Sequence, residues 1–354
     1  MKLNQVKELI KKSGLDAFLV SSPSNVFYLT SFKSTHAYLV ITPDSHHLLT
    51  DGRYYERAKK ELTHWDVRLI EGSAVKYIKS FLKDMGIKRV GYEKDRVSCE
   101  FRQALKTKGI KWIGLSGFLS YFRAIKTPEE ISIMKEGVKK SDNIYRKLLE
   151  FIKPGMTEME LRAFIVQEIF TVGASGESFS AIVACGEHSA VPHWETSYNK
   201  IEVGKNLLID MGLIWKGYCT DFTRTIFIGK ADEEFKKVYN TVKDAHLFAL
   251  EKVKVGNTLG EVDKAARKHI EKKGYGKLFN HSTGHGVGID IHEYPRVYYK
   301  GKDSRKLIEE GMVFTVEPGI YVPGKFGVRL ENIVAVEKGT GQPLSEISLD
   351  LIEL

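Results

Sequence analysis

At 354 residues, 42% of them hydrophobic and 28% charged, the chain has an ordinary globular composition and room for two domains. No apolar run approaches the roughly 18 residues of a membrane span, which excludes a helical membrane protein. The net charge of +9 invites a nucleic-acid partner. However, the lysine pairs (Lys11-Lys12, Lys59-Lys60, Lys139-Lys140, Lys236-Lys237, Lys272-Lys273) are scattered and mostly neighbour glutamates, as on solvated helix faces.

Leu3, Val6, Leu9 and Ile10 recur with helical spacing, and charges interrupt the segment every few positions. The N-terminus therefore predicts a helix rather than a secretory leader, and a cytoplasmic protein. Residues 17–20, 37–42, 67–70 and 90–92 predict strands, with amphipathic helices over 54–62 and 74–82. Asp51-Gly52-Arg53 reads as a turn that caps the helix after it. This gives an α/β domain over residues 1–123 with no cluster of carboxylates or histidines and no glycine-rich phosphate loop. Cys99, Cys185 and Cys219 lack CxxC spacing and read as buried small apolar residues in a reducing compartment.

The segment FRAIKTPEE opens a second domain, residues 124–354. Thr127 is placed to cap a helix, with Pro128 at its first position and Glu129 and Glu130 in its first turn. Helical patterns cover 128–152, 158–172, 233–254 and 259–273, with strand-rich stretches between and after the two pairs.

The chemistry-bearing residues lie in those strands. Two β-rich runs in NLLIDMGLIWKGYCTDFTRTIF flank Trp215-Lys216-Gly217 and predict a hairpin. A two-residue turn centred on Trp215-Lys216 sets Asp210 opposite Asp221. One centred on Lys216-Gly217 offsets them by two, still on one face, and only an odd loop separates the faces. Such a pair repels and is costly to desolvate unless a cation relieves it. From the pair alone, that reading stands level with two edge aspartates facing water, or one of the pair bonded to Arg224.

In HSTGHGVGIDIHEYP, His281 and His285 are four apart, but Gly284, Gly286 and Gly288 argue against a helix, so one of the two is expected to be a ligand. The glycines permit close backbone approach to a ligand or metal, and His292 is a candidate acid or donor. In MVFTVEPGIYVPGKFGVRLENIVAVE, Glu317 and Glu331 lie in apolar strand contexts where burial is expensive without a partner. The competing account of Glu331 is a pairing with Arg329 on the same strand face. Four carboxylates with one imidazole suit hard divalent ions, manganese or cobalt, more than a closed thiolate zinc site.

Asp210, Asp221, His285, Glu317 and Glu331, in that order and within the phrases LLIDMG, TDFTRT, HSTGHGVG, VEPGIY and VRLEN, resemble the M24 metallopeptidases of pita-bread fold. The resemblance spans the chain, since the N-terminal domain and the FRAIKTPEE junction are similar to the proline-specific branch of prolidase and aminopeptidase P. It implies a creatinase-like α/β domain ahead of a pita-bread domain, two divalent ions per subunit (manganese or cobalt, with zinc or iron admitted), and a homodimer.

By resemblance, Asp210 chelates one metal, Asp221 and Glu331 bridge both, and His285 and Glu317 hold the other. Glu317 also shuttles the proton of a bridging water or hydroxide that acts as the nucleophile. His193 and His292 match the family's substrate-side histidines, and Phe179, Ile291 and Tyr321 are candidates to line a proline pocket. The expected activity is an Xaa-Pro dipeptidase, with Arg296 clamping the substrate carboxylate, a task for which its planar fork of donors is best shaped. The alternatives are an Xaa-Pro aminopeptidase acting on longer peptides and, more remotely, a metal-free scaffold of the same fold. Intact ligand positions argue against the latter.

Overall fold

Alternation along β1 (Ala17–Val20) builds the first unit: Phe18 and Val20 enter one buried cluster, Ala17 and Leu19 another. Five further strands, β2 (Ala37–Ile41), β3 (His46–Thr50), β4 (Asp66–Leu69), β5 (Arg89–Glu93) and β6 (Lys111–Leu115), complete a mixed sheet ordered β4-β3-β2-β1-β5-β6. Helices α1 (Lys2–Lys12), α2 (Pro23–Thr30) and α3 (Tyr55–Glu61) supply Val6, Ile10, Val26 and Ala58 to the Phe18 cluster. On the other face, α4 (Ala74–Asp84) supplies Ile78 and Leu82, and the short α5 (Cys99–Ala104) follows β5. In this computed structural model, which describes residues 2–354, the unit ends at Arg123 and a second runs from Ala124 to Leu354.

Two expectations differ from the structure. Cys99 is exposed, whereas Cys185 and Cys219 are buried, and all three are free. Asp51 holds a turn by accepting from the Arg53 backbone at 3.0 Å, but the N-cap of α3 is Tyr54, without a side-chain cap. Ser22 caps α2 through its hydroxyl and Pro23 occupies the first turn.

The first unit closes with α6 (Ser120–Ala124), and the second opens with α7 (Pro128–Phe151) and α8 (Glu158–Thr171). Both of these start in capping boxes, Thr127 with Glu130 and Thr157 with Glu160. Strands β7 (Ile182–Cys185), β8 (Lys205–Met211), β9 (Ile214–Trp215), β10 (Tyr218–Cys219) and β11 (Phe222–Ile228) follow. Of these, β11-β8-β7 form a sheet that packs on the two helices through Ile144, Leu148, Leu161, Ile165, Leu207 and Ile226.

The order then repeats. Helices α9 (Glu233–Lys252) and α10 (Leu259–Lys272) precede β12 (Gly284–Gly286), β13 (Glu293–Val297), β14 (Val313–Val316), β15 (Gly319–Val322), β16 (Phe326–Arg329), β17 (Asn332–Glu337) and β18 (Thr340–Pro343). These form the sheet β13-β12-β14-β17-β18 and the hairpin β15-β16, packed on α9 and α10 through Val238, Val242, Val262, Ala266 and Phe314.

The β9-β10 hairpin turns on Lys216 (φ 48°) and Gly217 (φ 88°), the two left-handed residues of a type I′ turn. Its register continues into β8 and β11, where Asp210 faces Thr223 and Met211 faces Phe222. Asp221 therefore falls two residues from the position opposite Asp210, on the same face.

Candidate active site

Each of the five carboxylate and histidine positions sits in a strand or within two residues of one. Asp210 lies near the end of β8 and Asp221 just before β11. His285 is in β12, Glu317 follows β14, and Glu331 lies between β16 and β17. Glycine makes the third of these possible. A Cβ on Gly284 would meet the Thr315 carbonyl oxygen at 1.9 Å, and one on Gly286 the Tyr294 carbonyl oxygen at 2.4 Å. These glycines let β12 press between its neighbouring strands, so the close approach is to backbone.

The side chains converge. Ligand atoms of Asp221, His285 and Glu331 lie within 4.8 Å of one another. His285 Nε2 is 3.5 Å from Asp221 Oδ2 and 3.4 Å from Glu317 Oε1. Its other nitrogen, Nδ1, is 3.1 Å from the Gly286 carbonyl, which can only accept, so Nδ1 carries the proton. Burial keeps the ring neutral, and the Nε2 lone pair points among the carboxylates.

The carboxylates are oriented by two threonines absent from the sequence reading and by Arg329, which takes a partner other than the one considered there. Thr223 Oγ1 donates to Glu331 Oε2 at 2.6 Å, and Thr315 Oγ1 to Glu317 Oε1 at 3.1 Å. Arg329 pairs with Asp210 at 2.6 Å, not with its strand neighbour Glu331. Its NH1 also donates to the Tyr321 hydroxyl at 2.9 Å. Among the described residues Arg224 donates to no carboxylate. Its guanidinium donates to the backbone oxygens of Thr223, Glu331, Ile347 and Ser348 and to Asn332 Oδ1.

One charge does not balance four. Burial, reinforced by the neighbouring carboxylates, pushes the Asp221 and Glu331 carboxyls well above their usual range. Burial raises Glu317 as well. Asp210 Oδ1 is buried without a hydrogen-bond partner. An unpartnered oxygen, mutually repelling carboxylates and one imidazole lone pair together fit a divalent cation, and the oxygen-rich set fits a hard one.

These groups form part of the wall of a cavity of about 570 Å³, which Phe179, His193, Ile291, His292, Arg296 and Tyr321 also line. The His285 and His292 rings lie 4.3 Å apart, nearly edge to face. Tyr321 is buried, and its hydroxyl lies 2.8 Å from His281 Nε2. That contact commits His281 to the tyrosine and leaves His285 as the one among the carboxylates. Among the described residues Arg296 makes no ion pair; its guanidinium lies over the Tyr298 ring, 4.7 Å from the centroid.

The pattern of metallopeptidase family M24 matches residues 132–338, and that of the creatinase/prolidase N-terminal domain matches residues 2–125. The Xaa-Pro dipeptidase of Pyrococcus horikoshii is 34% identical, the match covering 99% of this chain and 98% of that one. Among solved structures, the Xaa-Pro dipeptidase from Bacillus anthracis superposes with a TM-score of 0.95 at 35% identity over 100% of this chain and 99% of the other. The X-Pro aminopeptidase from Thermotoga maritima does so at 0.90 and 33%, over 99% and 100%. No helix among the described residues is long and apolar enough to cross a membrane. With more than half its length matched by one family pattern and whole-chain relatives above 30% identity, this chain belongs to metallopeptidase family M24 and carries a creatinase/prolidase N-terminal domain.

Proposed function

We propose that this metallopeptidase is an exopeptidase that hydrolyses Xaa-Pro bonds with two divalent ions, and that Xaa-Pro dipeptides are its preferred substrates. The observation that carries the reading is the convergence of Asp210, Asp221, Glu317, Glu331 and the His285 lone pair on one cavity. Its wall also presents a cation, Arg296, with no carboxylate partner among the described residues.

Asp210, Asp221, His285, Glu317 and Glu331 would hold the ions. When bound, manganese or cobalt would supply Lewis acidity to the scissile carbonyl and to the attacking water. Glu317, raised by burial, is suited to take a proton from that water and pass it to the departing proline nitrogen. That transfer matters because a bond preceding proline is a tertiary amide whose nitrogen must be protonated to leave. His193 and His292 would donate to the developing oxyanion. Phe179, Ile291 and the Tyr321 ring offer apolar surface for the pyrrolidine, and Arg296 would clamp the free carboxylate beyond it.

A second reading, an aminopeptidase removing Xaa from longer Xaa-Pro peptides, is favoured by the likeness to the Thermotoga maritima X-Pro aminopeptidase. A residence in the cytoplasm and a homodimeric assembly belong to the same proposal. The test begins with chelator-treated protein, which should not cleave Ala-Pro until manganese or cobalt is returned. Asp210→Asn and Glu331→Gln should each abolish cleavage while circular dichroism remains that of the parent. Full activity in either variant would contradict the ligand roles.

A further inference from the structure

Glu158, the first residue of α8, is fully buried and does not line the cavity. Its carboxylate nevertheless accepts five hydrogen bonds. Oε1 accepts from the Cys185 backbone at 2.9 Å and from His188 Nδ1 at 2.8 Å. Oε2 accepts from Trp194 Nε1 at 3.0 Å, from the Ser197 backbone at 3.1 Å and from the Ser197 hydroxyl at 2.8 Å.

These donors bracket His193 on both sides. The rings of His188 and Trp194 stack at 4.2 Å, with planes 6° apart, over the short segment between them. The Glu158 backbone N–H donates to the Asn199 carbonyl at 2.9 Å, which fastens the far end of the loop to the same residue. Immediately before His193, the Pro192 carbonyl accepts from Arg329 NH1 at 3.2 Å. The His193 side chain is exposed at the cavity wall, and among the described residues it makes no hydrogen bond of its own. Its position is thus inherited from the backbone on either side.

We propose that Glu158 is a positioning residue for His193, holding the loop over residues 185–199 so that the imidazole faces the reacting carbonyl. The proposal rests on the reading that His193 serves Xaa-Pro hydrolysis. A donor aimed at developing charge loses most of its effect when displaced by about 1 Å. Only a carboxylate accepts at both oxygens, so a glutamine there turns an N–H₂ group toward two or three of the five donors.

The test uses the full chain, metal-loaded, with Glu158→Gln, His193→Ala, the double variant, and Glu160→Gln as a control in the same helical turn. Glu158→Gln should lower kcat for Ala-Pro about tenfold or more, with KM within about threefold. In the His193→Ala background the same substitution should change kcat by less than about twofold. Glu160→Gln keeps an amide oxygen for the Thr157 N–H and hydroxyl, so it should leave kcat unchanged. Hydrogen exchange over residues 186–199 should rise in Glu158→Gln and stay unchanged in β8 and α9. Should Glu158→Gln fail to fold, Glu158→Asp, which keeps both acceptor oxygens one methylene short, should give the same pattern in weaker form.

A kcat loss as large in the His193→Ala background as in the parent, or unchanged exchange in the loop, would overturn the proposal. Parent protein that cleaves no Xaa-Pro substrate would instead overturn the functional reading, and the exchange experiment would still decide the role of Glu158.

Discussion

Arg329 is the only cation paired with the carboxylates of the site among the described residues, and replacing it with methionine isolates what that charge does. Arg329 is 4% exposed, and its guanidinium reaches four groups. These are Asp210 Oδ2 at 2.6 Å, the Tyr321 hydroxyl at 2.9 Å, the Pro192 carbonyl at 3.2 Å and Thr223 Oγ1 at 3.3 Å. Asp210 Oδ1 already lacks a partner, so Arg329→Met leaves a buried carboxylate with neither oxygen satisfied.

Removing one member of a buried ion pair destabilises by about 3–5 kcal/mol. In a unit of this size each kcal/mol is worth about 2–4 °C, so the loss should be about 6–20 °C in Tm. Calorimetry of metal-free protein in chelator, following the transition of the second unit, measures it directly. Arg329→Lys should recover part of the loss, because an ammonium keeps the pairing with Asp210 while giving up the forked contacts. A Met variant within about 1 kcal/mol of the parent, or a Lys variant no better than Met, would refute the view that this arginine offsets the site's negative charge.

Two further outcomes follow from other groups. His246, fully buried in α9, is pushed down to about 3, first by burial and then by the charge of Arg224. The unfolded chain takes up this proton below about pH 6.5 and the folded chain does not, so stability falls as pH drops through that window at about 1.4 kcal/mol per unit. His246→Gln should therefore lose about 2 kcal/mol less than the parent between pH 6.5 and 5 in urea unfolding, and parallel curves would contradict this. For Arg296→Gln, KM for Ala-Pro should rise about tenfold or more while KM for an Ala-Pro amide barely moves, since only the former has the carboxylate to lose. Equal changes with both substrates would remove Arg296 from that role.

Long amphipathic elements were legible in the sequence because their period is carried by many residues. The helix at Pro128 is of this kind, with a capping box as well, whereas the four-residue strand at Ala17 was legible as an unbroken apolar run. β3 and β6 escaped, since His46-His47 and Gly114 interrupt the apolar pattern that burial in a mixed sheet otherwise makes continuous. Cys99 was misplaced because composition reports average burial and not the first turn of an exposed helix.

Within the site, the strand parity of Asp210 and Asp221 could be reasoned from a turn, and the glycines of GHG from their chemistry. The donors to the carboxylates could not. Arg329 and Asp210 are joined by a contact spanning 119 positions, and Thr223 and Glu331 by one spanning 108. One signal was available for the first: alternation in VRLE sets Arg329 and Glu331 on one face, so that the arginine had to meet the same carboxylate cluster. For Glu158 the sequence suggested only a helix start, because the loop it holds returns from residues about 30–40 positions away.

The central claim is tested most directly by comparing kcat/KM for Ala-Pro and Ala-Pro-Ala with the same protein in saturating manganese or cobalt. Faster cleavage of the dipeptide is predicted, with both activities lost in chelator. Faster cleavage of the tripeptide would make the enzyme an aminopeptidase, and no cleavage of either in the presence of metal would contradict the proline-directed reading of the site.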